Sequence, residues 1–62
     1  MEIWKRDEKT GIECGINDDG ELFLGNDRSG YNLPDTEENR ESILRDFDYY
    51  VKFVLSQQGK GA

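Results

Sequence analysis

Histidine is absent from this chain, and cysteine, proline and tryptophan occur once each. Without histidine the chain lacks the side chain most used for proton transfer near neutral pH and the commonest transition-metal ligand. Neither catalysis nor metal binding is expected. The lone Cys14 excludes an intrachain disulfide, which fits a reducing cytoplasm better than an oxidising compartment. The longest apolar clusters, Leu22-Phe23-Leu24 and Phe53-Val54-Leu55, are far too short for a membrane span or a signal peptide. A soluble cytoplasmic protein is expected.

Positive charge is also scarce. Eight bases stand against fourteen acids, for a formal charge of −6, and the excess is concentrated between Asp7 and Asp48, with thirteen acids and four bases. Such a field repels nucleic acid and anionic membranes and favours a basic partner. With only 62 residues, about 40% of the unfolded-state surface stays exposed after folding, so the core must be thin. A single domain over 1–62 is expected, as a monomer or weak homodimer.

Five segments follow from local pattern. Residues 2–6 form a short β-prone run ended by a polar, glycine-bearing turn. Residues 12–17 alternate with period two, placing Ile12, Cys14 and Ile16 on one dry face. The turn Asn17-Asp18-Asp19-Gly20 suits a three-residue loop with Gly20 in the left-handed region, pairing Ile16 with Leu22 and Cys14 with Leu24. The third strand spans 21–25, with Phe23 on the opposite face. Residues 26–34, rich in turn formers, read as loop.

A helix is expected over about 36–57. Its N-cap is either Asp35, with Glu38 as capping-box partner, or Thr36, with acids in the first turn. Ile43, Leu44, Phe47, Tyr50, Val51, Val54 and Leu55 recur at helical spacing and form the face that lies on the sheet. Glu41 with Arg45 and Asp48 with Lys52 are acid-before-base pairs at i, i+4. Gly59 is expected to end the helix, leaving 58–62 as a flexible tail. The fold class is therefore α+β, a three-stranded antiparallel β-meander packed against one C-terminal α-helix (βββα).

No catalytic constellation emerges. Cys14 lies between apolar neighbours with no base to activate it. The acids of 17–21 do not match an EF-hand loop, and 25–30 lacks the lysine of a phosphate loop. No enzyme activity, cofactor or metal is expected. Two binding features remain. Glu37, Glu41 and Asp48 fall in a narrow helical sector with Glu38 further round, and with Asp18, Asp19, Glu21 and Asp27 they make a candidate acidic surface. Tyr49 and Phe53 form an aromatic pair away from the apolar stripe, with Trp4 and Phe23 as further aromatics that a thin core has difficulty covering.

In size, charge and lack of catalytic groups, the chain resembles the small phage-encoded inhibitors of bacterial defence, the anti-CRISPR proteins, particularly those acting on type I effectors. The resemblance covers the whole chain at the level of class, with no diagnostic motif and no residue carried over. It implies a non-enzymatic inhibitor in the cytoplasm of a bacterial host, whose carboxylates replace phosphates on a basic nucleic-acid-binding subunit, without touching nucleic acid or membrane itself. The alternative is an antitoxin, immunity or regulatory subunit that binds through the helix aromatics.

Overall fold

The computed structural model of the chain describes residues 1–60. Four strands and one helix follow in order: β1 (Glu2–Arg6), β2 (Glu13–Ile16), β3 (Leu22–Gly25), β4 (Gly30–Leu33) and α1 (Glu37–Lys60). All neighbouring strands are antiparallel, in the order β1-β2-β3-β4. The α+β class and C-terminal helix stand as expected, but the meander has four strands rather than three. The segment expected as loop over 26–34 contains β4, in register with β3 from Gly25↔Gly30 to Leu22↔Leu33. Of its four residues only Tyr31 is a strong strand former. The β3 ladder beside them supplies backbone partners that no local pattern reveals.

The β2–β3 hairpin has the expected register, with Ile16 opposite Leu22 and Cys14 opposite Leu24. The Asn17 N–H donates to the Glu21 carbonyl at 2.9 Å, and Gly20 has φ +81°. A side-chain bond completes the turn, since Asn17 Oδ1 accepts from the Asp19 and Glu21 N–H groups at 2.9 and 3.0 Å. At the other end of the sheet the β1–β2 turn closes on Asp7. Its carboxylate accepts from both the N–H and the hydroxyl of Thr10, at 2.9 and 2.8 Å. The β3–β4 turn is tied to it by Asn26, whose Nδ2 donates to the Thr10 carbonyl at 3.0 Å.

β1 is irregular. Its register with β2 slips between Ile3 and Lys5, a bulge at Trp4. Both Trp4 and Lys5 consequently meet the helix side, where the Arg40 guanidinium lies 5.5 Å from the Trp4 ring and Lys5 Nζ lies 5.6 Å from the Phe47 ring. The first half of β1 also runs very close to β2. A Cβ at Gly15 would overlap the Glu2 carbonyl oxygen, so only glycine permits this approach.

The core lies between α1 and the two central strands. Ile12, Cys14, Leu22, Leu24, Ile43 and Phe47 are buried, with Trp4, Ile16, Leu33, Tyr50, Val51 and Val54 packed around them. Cys14 is therefore a core residue, and burial pushes its thiol above the usual range. Of the expected apolar stripe, Leu44 and Leu55 remain exposed at its edge. α1 begins with Thr36 as N-cap, its Oγ1 accepting from the Asn39 N–H at 3.1 Å. Asp35 is not the cap. It holds Arg40 through two bonds, at 2.6 and 2.8 Å. The helix passes Gly59 and continues through Lys60, and of the expected tail only 61–62 lie outside the described residues.

Candidate functional site

Register places the acidic residues at defined ends of the sheet. Glu2 pairs with Ile16, Ile16 with Leu22, and Leu22 with Leu33. The start of β1, the β2–β3 turn and the exit of β4 into the helix therefore share one end. That end carries Asp18, Asp19 and Glu21 on the turn, Glu2 at the start of β1, and Asp35, Glu37 and Glu38 at the start of α1. Apart from Glu2 and Asp35, all were candidates from sequence, and all seven are solvent-exposed. Glu41 stands one helical turn further in, also exposed.

The cations at this end are few. The Met1 ammonium meets Asp18 Oδ1 at 2.8 Å, and this hydrogen bond, then the charge itself, holds the Asp18 carboxyl below the usual carboxylate range. Arg40 is engaged by Asp35, whose carboxyl is lowered mainly by the hydrogen bond between them, while Glu2 adds to the field on the same guanidinium. The 5.5 Å approach of the Arg40 guanidinium to the Trp4 ring places β1 beside the first turns of the helix. Asp19, Glu21, Glu37, Glu38 and Glu41 form no ion pair within 4.0 Å among the described residues. The expected pairs Glu41–Arg45 and Asp48–Lys52 likewise do not close to 4.0 Å. Exposed and grouped in this way, the carboxylates together present a negative end cap.

Two of the candidate acids fall outside this cap. Asp27 lies on the β3–β4 turn at the opposite end of the sheet, beside Arg28, and Asp48 lies about three helical turns from Glu37. The opposite end also holds Asp7, Glu8 and Lys9, and Arg6 facing Glu13 at 3.7 Å, so four acids there are largely offset by Arg6, Lys9 and Arg28. Glu2 and Asp35, not candidates from sequence, belong to the cap. The signal for Glu2 was the hairpin register, which brings residue 2 beside residue 16 only after β1 is paired.

The aromatic candidates occupy another flank. Tyr49 and Phe53 are 74% and 52% exposed, so the sheet does not cover them. They share the side of α1 that carries Asp46, whose Oδ2 accepts from the Tyr31 hydroxyl of β4 at 3.4 Å. Trp4 and Phe23 are half-buried. Burial, then the charge of Asp46, raises the Tyr31 phenol above its ordinary value. Tyr50 is half-buried and bonds Ser29 across 2.6 Å, fixing the helix to the β3–β4 turn.

Shallow open grooves border that turn, lined among others by Phe23, Asn26, Asp27 and Tyr31. No buried polar side chain stands in the core, and no cluster of three metal-ligating side chains exists among the described residues. No helix among them is long and apolar enough to cross a membrane. Comparison with protein-family models, with curated proteins and with solved structures finds no match for this chain.

Proposed function

We propose that the chain is a non-enzymatic inhibitor that docks its carboxylate cap on a basic nucleic-acid-binding surface, with a bacterial defence effector as the target class. The observation that carries this reading is the grouping of Asp18, Asp19, Glu21, Glu37 and Glu38 at one end of a fixed scaffold, with few cations among them. A groove lined with lysine and arginine attracts phosphates by long-range field and short charge-assisted bonds. Carboxylates held at spaced positions exploit the same field.

The test is charge reversal measured on a type I CRISPR effector complex, the class suggested by the resemblance. Asp18, Asp19 and Glu21 are changed together to Lys, and Glu37 and Glu38 together in a second variant. Each should weaken inhibition by about tenfold or more, roughly 1.4 kcal/mol. Asp27→Lys and Asp48→Lys, outside the cap, should change little. Wild-type inhibition should fall as salt rises from about 50 to 200 mM, and nucleic acid should compete. Full potency in both reversal variants rules the proposal out.

A second reading is favoured by the exposure of Tyr49 and Phe53. An antitoxin, immunity or regulatory subunit binding through these side chains would be insensitive to salt. It would lose affinity on Tyr49→Ala or Phe53→Ala instead, since exposed aromatics are frequent anchors of protein interfaces.

A further inference from the structure

The two free edges of the sheet are built differently. β1 is bulged at Trp4 and carries Lys5 and Arg6, devices that discourage another strand from pairing with an edge. β4 has neither device. Its sequence, Gly-Tyr-Asn-Leu, carries no charge in a chain of which 35% is charged, its register is unbroken, and Pro34 comes only after its last residue. The Asn26 N–H bonded to the Ser29 carbonyl sets the phase of the β3–β4 ladder. By alternation, Tyr31 and Leu33 bond toward β3, while Gly30 and Asn32 turn their N–H and C=O groups outward. Both residues are exposed.

A second copy of the chain satisfies this edge. Two β4 strands set antiparallel about a two-fold axis at Tyr31 bring Gly30 opposite Asn32 of the other copy, and the outward backbone groups pair in both directions. Tyr31 then faces its own equivalent on the helix side, an arrangement in which cross-strand aromatics stabilise a sheet. Charge selects the same direction. The antiparallel arrangement carries the carboxylate cap of each copy alongside the opposite end of its mate, where Arg6, Lys9 and Arg28 nearly balance Asp7, Glu8, Glu13 and Asp27, whereas a parallel one would set cap against cap. We infer that the chain forms a homodimer through β4, making one continuous sheet with the two carboxylate caps at opposite extremes. This does not depend on the identity of any basic partner.

Sedimentation velocity on the full chain reads the outcome directly. At high micromolar concentration the wild type should show twice the 7.2 kDa chain mass. Asn32→Pro deletes an outward N–H without touching the β3 ladder, and Tyr31→Lys sets two ammonium groups face to face. Each should return the mass to 7.2 kDa with an unchanged far-ultraviolet circular dichroism spectrum, while Ile3→Lys on the β1 edge should leave the dimer intact. Hydrogen exchange of the wild type supplies a readout free of substitutions: the Gly30 and Asn32 amides should exchange more slowly as concentration rises. A wild type that stays at 7.2 kDa with concentration-independent exchange overturns the inference, as does a dimer that survives both β4 substitutions.

Discussion

Asp7 shows how a single side chain organises a turn. Its carboxylate is held below the ordinary carboxylate range chiefly by the Thr10 hydroxyl and then by the Thr10 N–H. A group whose folded pKa lies below its unfolded value contributes stability above the unfolded pKa, near 4, and loses it as pH falls through the folded value. Thermal melts of the wild type should therefore drop in midpoint below about pH 4. Asp7→Asn, which leaves no ionisable group there, should begin from a lower midpoint at pH 7 and show a smaller drop. Equal acid sensitivity in the two proteins would show that Asp7 is not a source of the pH dependence. Cys14 and Asp18 illustrate what single residues disclose in advance. The apolar neighbours of Cys14 sufficed to place it in the core. The contact between Asp18 and the Met1 ammonium depends on pairing β1 against the hairpin, which no local pattern around either residue contains.

Among elements, the β2–β3 hairpin was the most legible, because turn chemistry and two-residue periodicity independently demanded the same register. β4 was illegible for the converse reason. Gly30 and Asn32 are turn formers, Tyr31 and Leu33 alone cannot establish a period, and the strand exists because Leu22 and Leu24 of β3 have backbone groups to satisfy. The helix was clear along Ile43, Phe47, Tyr50 and Val54. Its start was open between two caps, and the structure selects Thr36, leaving Asp35 to hold Arg40. Thr36→Ala should accordingly cost about 0.5–2 kcal/mol in urea denaturation, while Glu38→Gln should cost a few tenths, since no capping box involves Glu38. Comparable losses from both substitutions would contradict the cap assigned here.

At the scale of the whole molecule, the buried core comprises Ile12, Cys14, Leu22, Leu24, Ile43 and Phe47, with no residue from either edge strand. A domain this small has roughly 3–5 kcal/mol to hold it folded. Ile43, completely buried where α1 meets the sheet, is the point of greatest leverage. Ile43→Ala should cost about 2–5 kcal/mol and leave much of the protein unfolded at room temperature by circular dichroism. A variant as stable as the wild type would mean that helix and sheet do not depend on one another. The charge excess was visible in the composition, but its grouping at one end was not. That grouping required four strands in order and a helix starting beside the β2–β3 turn, and it separated Asp27 and Asp48 from acids that resemble them in every local respect.

The long axis of the molecule is 38 Å and its cross-section 20 × 15 Å, and a helix of 24 residues accounts for the length. Because screening in physiological salt extends only about 8 Å, a cationic surface feels the near tip of this rod and hardly its far end. The docking proposed above is therefore expected to proceed tip foremost. A tip of that breadth is far smaller than the roughly 800 Å² that each side contributes to a standard interface. On the proposed function, firm attachment consequently demands a receptor with depth, a slot whose walls clasp the sides of the rod after its end has entered.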